Sequence, residues 1–243
     1  MSTYTHTVAL RRCTEIAHQT LALHFQKPEG FSFRPGQFVD VNLDVADTGD
    51  SPQTQLHSLT LASAPCQEEL IVATRIRDTG YKRALQRLMP GATVTIEGPA
   101  GMLTLSPKHQ RPAILIAGGI GITPFTSMAT QAAHERSPRL LTLLYVNRRP
   151  EDAAYLPELQ ALEAHNPNFH LIATMTRMQD SARPWNGAVG HIDSQKIEVA
   201  RKGMADPVFY LAGPPDMVGA TYELLERMGI ADHDIREEGF YGY

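Results

Sequence analysis

Gly118, Gly119 and Gly121 stand between the apolar run 113–117 and the pair Thr123-Pro124. The run reads as a strand buried on both faces. Thr123-Pro124 reads as the opening of a helix, with threonine at the N-cap and proline in the first turn. Glycines remove the Cβ atoms that keep a ligand from the backbone, and a helix N-terminus offers free N–H groups and the positive end of a dipole. The chemistry such a corner supports is the holding of a pyrophosphate. Its spacing is not the G-x-G-x-x-G of a dinucleotide fingerprint, and glycine-rich strand-to-helix turns also occur in α/β proteins that bind no nucleotide. A second corner, Val208-Phe-Tyr-Leu-Ala-Gly-Pro-Pro-Asp-Met217, repeats the design with Gly213, Pro214, Pro215 and Met217.

Two such corners need a scaffold. From residue 113 onward, strand-like runs at 113–117, 140–146, 169–175, 207–212 and 234–238 alternate with helical patterns at 124–135, 151–165, 194–202 and 215–228. That alternation predicts an open, doubly wound parallel sheet. The corners then end its first and fourth strands, which are neighbours, and the crevice between them is the switch point where nucleotides bind. The preceding residues are β-rich instead. Segments 6–15, 20–25, 37–43, 56–62, 69–76 and 92–97 read as short strands, with one helix at 81–89 stopped by Pro90-Gly91. Six short strands and one helix predict a closed antiparallel barrel. Residues 44–55, rich in Asp, Thr, Gly, Ser and Pro, read as an exposed loop. The polar stretch 106–111, with Pro107, separates an expected first domain, 1–106, from a second, 107–243.

Composition removes several classes. The 243 residues are 42% hydrophobic and 20% charged with a formal net charge of −4, which supplies a core and argues against a nucleic-acid binder. Cys13 and Cys66, the only cysteines, are too few for an all-cysteine iron–sulfur cluster or a Cys₄ zinc site. No histidine pair has metal-ligand spacing with a nearby carboxylate, so no metal site is expected. Ser63 and Ser127 lie in no Gly-x-Ser-x-Gly elbow, against a hydrolase. The stretch 155–164 reads as a core-facing helix rather than a membrane surface element. With no signal-like start and no apolar run long enough for a bilayer, a cytoplasmic protein is expected.

The ordered motifs Arg34-Pro-Gly-Gln-Phe38, Leu59-Thr-Leu-Ala-Ser-Ala-Pro65, Gly98-Pro-Ala-Gly101, Gly118-Gly-Ile-Gly-Ile-Thr-Pro124 and Ala212-Gly-Pro-Pro-Asp-Met217, with an aromatic C-terminus, resemble the ferredoxin–NADP reductase-like flavoproteins. The resemblance covers almost the whole chain. It implies a flavin-binding antiparallel barrel followed by a nicotinamide-binding α/β domain, hydride transfer from NAD(P)H to flavin, and electron passage to a separate acceptor. FAD rather than FMN follows from the resemblance alone.

The flavin motif departs from the family. Members usually present Arg-x-Tyr-Ser/Thr, with arginine on the flavin phosphate and the aromatic beside the isoalloxazine. Here the segment is His57-Ser58-Leu59-Thr60. Histidine, largely neutral at pH 7, offers no guanidinium fork, and leucine supplies no aromatic stack. Thr60 keeps the hydroxyl the family places near flavin N5. His57 is alternatively a strand residue without a ligand. Compensation comes from the family's second flavin segment, where Arg75, Arg77 and Lys82 are cationic and the amides around Gly80, Tyr81 and Lys82 could receive the pyrophosphate. Those charges are alternatively solvated. Weakened flavin retention is expected.

For the nicotinamide coenzyme, Thr176-Arg177 falls where NADPH-using relatives place Ser-Arg on the 2′-phosphate. Arg148 and Arg149 form a second basic pair near the adenosine end, and no carboxylate stands at Asn147. NADPH is expected over NADH, with solvated arginines as the alternative. Ala212 replaces a cysteine that many relatives hold near the nicotinamide. Glu238 fits the position of a glutamate close to the reacting atoms, and Gly239 shifts the register of Phe240 and Tyr243, of which Tyr243 is the candidate lid over the flavin ring; packing on the barrel is the alternative. The expected protein is an NAD(P)H-dependent flavin reductase whose acceptor is a separate redox protein or small molecule, with neither nucleic acid nor membrane as partner. A reductase using flavin as a dissociable substrate, and a nucleotide-sensing or electron-relay subunit with little turnover, are the alternatives.

Overall fold

A computed structural model describes residues 4–43, 56–107 and 110–240. Its first sheet contains β1 (Tyr4–Ala17), β2 (Thr20–Gln26), β3 (Phe38–Asn42), β4 (Leu56–Thr60), β5 (Glu69–Arg75) and β6 (Thr93–Ala100), in the order β4-β3-β6-β1-β2-β5. Every pairing is antiparallel. The two outer strands meet where Leu61, just past β4, bridges to Val72 of β5, so the sheet curls into a barrel. β1 pairs with β6 over its first half and with β2 over its second, bending at bulges after Leu10 and after Glu15. Alternate residues such as Leu23, Phe25, Val39, Val41 and Ile96 fill the interior. Helix α1 (Gly80–Arg87) closes one end through Tyr81 and Leu85.

The second sheet contains β7 (Ala113–Gly118), β8 (Leu141–Asn147), β9 (Phe169–Met175), β10 (Ala188–Val189), β11 (Val208–Gly213) and β12 (Ile235–Gly239), all parallel, in the order β10-β9-β8-β7-β11-β12. β7 and β8 are buried at every residue, as their unbroken apolar runs require when helices cover both faces. One face packs Leu115, Leu143 and Tyr145 against α2 (Thr123–His134) and α3 (Leu156–His165). The other packs Ile114, Ile116 and Leu144 against α4 (Ser194–Ala200) and α5 (Pro215–Arg227). The doubly wound order makes β7 and β11 neighbours, as the two corners demand. Among the described residues no helix is long and apolar enough to cross a membrane.

Three local features differ from the sequence reading. The expected helix 151–165 is split into a single 3-10 turn, Pro150–Asp152, and α3, which starts at Leu156 after Tyr155 takes a left-handed φ of 58°. Pro157 explains this: with no N–H and a fixed φ it fits the first helical turn and not the interior. Thr123 is the first helical residue rather than the N-cap, because a 3-10 turn, Gly119–Ile122, already carries the backbone in; its hydroxyl donates to the Ile120 carbonyl. β10, only two residues long, carries no readable period. The loop expected at 44–55 and the lid residue Tyr243 lie outside the described residues.

Candidate functional site

A pocket of ≈ 200 Å³ opens between the two sheets. Its walls are His57, Ser58, Leu59 and Thr60 of β4; Ala73, Thr74 and Arg75 of β5; Arg77, Thr79 and Lys82 at the start of α1; Ile120 and Thr123 at the β7–α2 corner; and Phe240 beyond β12. Antiparallel closure of the barrel puts β4 beside β5, which is why residues 57–60 and 73–75 face one space. Among the described residues the lining contains Arg75, Arg77 and Lys82 and no carboxylate. Helix α1 adds its N-terminal turn, capped by the Thr79 hydroxyl, which accepts from the Lys82 amide at 3.3 Å. The first-turn amides and three cations make a space suited to an anion.

Each expected residue in this region can be placed. Thr60 is 3% exposed and its hydroxyl has no hydrogen-bond partner among the described residues. A buried hydroxyl at a pocket wall without a partner is the feature a bound polar ring would satisfy. Leu59 is buried and apolar. Ser58 donates to the Asp40 carboxylate at 2.5 Å. The His57 ring stacks on Tyr81, centroids 3.8 Å apart and planes 30° from parallel, and burial together with the nearby Lys82 ammonium holds its pKa below the usual value, so it is neutral near pH 7. Tyr81 therefore faces His57 and the barrel interior, its hydroxyl donating to the Val41 carbonyl at 3.0 Å. Gly80 opens the helix behind it. Lys82 is 9% exposed, and its ammonium donates to the Thr74 hydroxyl. Arg75 also reaches Asp152 at 3.7 Å.

The glycine corners have a purpose the sequence alone did not reveal. A Cβ on Gly118 would collide with the Met217 thioether and press on Pro214; one on Gly121 would collide with the Ala212 carbonyl; and Gly213, at φ 153°, lies against the Gly118 backbone. These three glycines let the corners close on each other. Gly119, at φ 53°, is the one whose missing Cβ faces open space, so it is the backbone position a ligand can approach. Pro124 and Pro215 sit in the first turns of α2 and α5.

At the other end of the crevice, β8 and β9 finish side by side. The Thr176 amide donates to the Asn147 carbonyl at 2.9 Å, and the Arg177 amide to the Arg148 carbonyl at 2.8 Å. The exposed side chains of Arg148 and Arg177 thus leave adjacent backbone positions. Arg149 does not join them. Its guanidinium holds Asp152 through two 2.9 Å hydrogen bonds, so the expected Arg148–Arg149 pair divides into one exposed cation and one structural cation. Burial alone would raise the Asp152 carboxyl, but Arg149, Arg75 and His18 hold it below its ordinary range. Sequence reasoning missed Asp152 as well as Thr74 and Thr79; only the Arg149–Asp152 spacing of three and the cap position of Thr79 gave any signal.

Glu238 pairs in register with Ala212 on β11, one residue before the second corner. Its Oε2 is buried without a partner among the described residues, and burial raises its pKa. The Phe240 amide donates to the Gly213 carbonyl at 3.0 Å while its ring lines the pocket, so this one residue touches both the corner and the anionic space.

Residues 115–223 match the oxidoreductase NAD-binding domain family. The chain is 29% identical over 211 residues to ferredoxin–NADP reductase B of Sorangium cellulosum, covering 83% of each. It is 28% identical over 240 residues to the toluate 1,2-dioxygenase electron transfer component of Pseudomonas putida, covering 96% of this chain and 66% of that protein. The chain spans 57% of the length of the propane 2-monooxygenase reductase component of Rhodococcus jostii and 63% of the glycine betaine monooxygenase reductase subunit of Chromohalobacter salexigens. In fold it is similar to a ferredoxin NADP+ reductase from Neisseria gonorrhoeae solved with FAD and NADP, with a TM-score of 0.80 at 21% identity, covering 97% of this chain and 98% of that one.

Proposed function

We propose that the chain is a ferredoxin–NADP reductase-like flavoprotein reductase, an enzyme passing a hydride from NAD(P)H to FAD and electrons onward to a separate acceptor. The observation that carries this reading is the pocket's position. Its barrel walls supply an anion-holding end, and its far wall is Ile120, Thr123 and Phe240 at the nicotinamide corners. A flavin ring held in the pocket would therefore lie beside the corners that would hold the nicotinamide.

FAD, when bound, supplies the two-electron and one-electron chemistry, and the chain supplies orientation and electrostatics. The α1 turn and Lys82 would hold the nucleotide's phosphates, with Arg75 and Arg77 adding positive potential, while the Thr60 hydroxyl would donate to the ring edge and Leu59 would pack against it. Gly119 admits the nicotinamide dinucleotide to the β7–α2 corner, while Arg148 and Arg177 receive a 2′-phosphate, which favours NADPH. Glu238 stands beside the second corner, and Phe240 shields the junction from water. The barrel, residues 1–106, and the α/β unit, 107–243, form the two domains of this reading. A separate redox protein as acceptor is supported by the Pseudomonas putida relative, which is named for electron transfer within a dioxygenase. The test is an absorption spectrum of the purified protein, reconstituted with FAD, before and after NADPH. A flavin spectrum that bleaches on addition is expected. A protein that takes up no FAD, or FAD that neither NADPH nor NADH reduces, rules the reading out.

A further inference from the structure

We propose that Lys82 is the side chain that holds the flavin nucleotide's phosphate in this protein, in place of a cation at residue 57. The inference rests on the flavin reading above and assigns one side chain within it. Lys82 is a cation at 9% exposure in the pocket wall. Its contacts are the Thr74 hydroxyl and the face of the Tyr81 ring, with the ammonium 5.7 Å from the centroid. No carboxylate pairs with it among the described residues. A buried ammonium so placed carries a desolvation cost that a neutral hydroxyl offsets only in part. An incoming phosphate is the group that offsets the rest, and an ammonium is a compact point charge well suited to it.

The surrounding groups are less directly placed than Lys82 to hold that phosphate. His57 across the pocket on β4 is neutral and stacked on Tyr81. Arg75 on β5 is drawn toward Asp152. Arg77 is exposed and adds positive potential near Lys82. The carboxylate of Asp40, on β3, influences Tyr81 and accepts from Ser58. Lys82 also lies in the first turn of α1, so the helix dipole and the ammonium address the same anion.

A second consequence is proton linkage. Burial, with Arg77 next, lowers the amine to about 8. A phosphate partner raises it again. Below about pH 8 the cation is already present and binding takes up no proton; as pH rises past that value, binding requires proton uptake and weakens by up to about tenfold per unit, until the pKa of the bound state is passed.

The experiment titrates apo wild-type protein, Lys82→Met and Lys82→Arg with FAD and with riboflavin, which has the ring but no phosphate, by calorimetry near pH 7 and pH 9. Lys82→Met is expected to weaken FAD roughly 10- to 100-fold, the range for one charged hydrogen bond, with riboflavin changed by less than about threefold. Lys82→Arg should keep most of the FAD affinity. Wild-type affinity for FAD should fall between the two pH values, that for riboflavin should not, and this comparison needs no folded variant. Equal losses for FAD and riboflavin, or unchanged FAD affinity in Lys82→Met, would overturn the assignment while leaving the flavin reading intact. A wild-type protein that binds neither ligand overturns both.

Discussion

Replacing Asp152 by Asn tests how far one carboxylate joins the two sheets. Its side chain is 3% exposed and accepts two 2.9 Å hydrogen bonds from Arg149, with Arg75 of β5 at 3.7 Å and His18 of the β1–β2 turn at 3.6 Å. The His18 amide also donates to the Glu151 carbonyl at 2.8 Å, so the cluster is one seam between barrel and α/β sheet. Asparagine preserves volume and one acceptor but removes the charge. Breaking a fully buried pair costs ~3–5 kcal/mol and an exposed one ~0–1. Arg149 and Arg75 are 27% and 26% exposed, so the loss falls between these limits. We expect about 2–3 kcal/mol, which for a chain of this size lowers Tm by roughly 5–10 °C. The assay is thermal unfolding of both proteins from pH 3 to pH 8. Because the native Asp152 pKa is depressed, its contribution is present above the unfolded-state value and is lost as pH falls through the native one. The gap between the proteins should therefore close in acid. A variant within about 1 °C of wild type at neutral pH, or a gap that persists unchanged at pH 3, would refute the reasoning.

Three further outcomes are expected. Gly121→Ala puts a methyl against the Ala212 carbonyl, so the corners must part; coenzyme affinity measured in rapid mixing should fall tenfold or more while FAD affinity holds, and an unchanged coenzyme Kd refutes the packing role. Arg177→Ala should weaken NADPH by roughly tenfold or more and NADH far less, by the loss of one charged phosphate contact; equal losses in steady-state kinetics would make Arg177 structural. Glu238 has a raised native pKa, so what it adds to stability is present below its unfolded value and lost as pH rises through the native one. Glu238→Gln should thus raise Tm at pH 8 and lose that advantage near pH 4, and a variant less stable at pH 8 would show that the carboxylate has a partner in solution.

Much of the architecture was legible because period and punctuation are local. The unbroken apolar runs of β7 and β8, the alternation in β2 and the proline–glycine stops each reflect the surface that the residues must bury. The two corners could be predicted as neighbours because strand order in a doubly wound sheet follows from the helical crossovers. Contacts between distant residues were not legible. Nothing in the order of residues says that His57 will stack on Tyr81, that Arg149 will turn to Asp152 instead of flanking Arg148, or that Gly118 and Gly213 face each other. The glycines were correctly singled out but for an incomplete reason, since a missing Cβ looks alike in sequence whether a ligand or another backbone fills the space. Thr123 was misplaced by one position because a 3-10 turn has no signature distinct from the helix it precedes.

The pocket's walls come from both sheets: β4, β5 and α1 on one side, Ile120, Thr123 and Phe240 on the other. A molecule filling it is therefore a cross-brace as well as a reactant. With the brace absent, the barrel and the α/β unit are joined by the Asp152 seam, by the buried Ser127 hydroxyl donating to the Ser63 carbonyl at 2.7 Å, and by Ala22, Ala62 and Ala73 in one core cluster with Phe125 and Met128. With it present at a hundred times its Kd, the bound form gains ~2.7 kcal/mol that is forfeited as soon as either unit opens. Occupancy then ties the fate of one half more tightly to the other, and the calorimetric transition should sharpen and move up by roughly 5–10 °C when FAD is added at that excess.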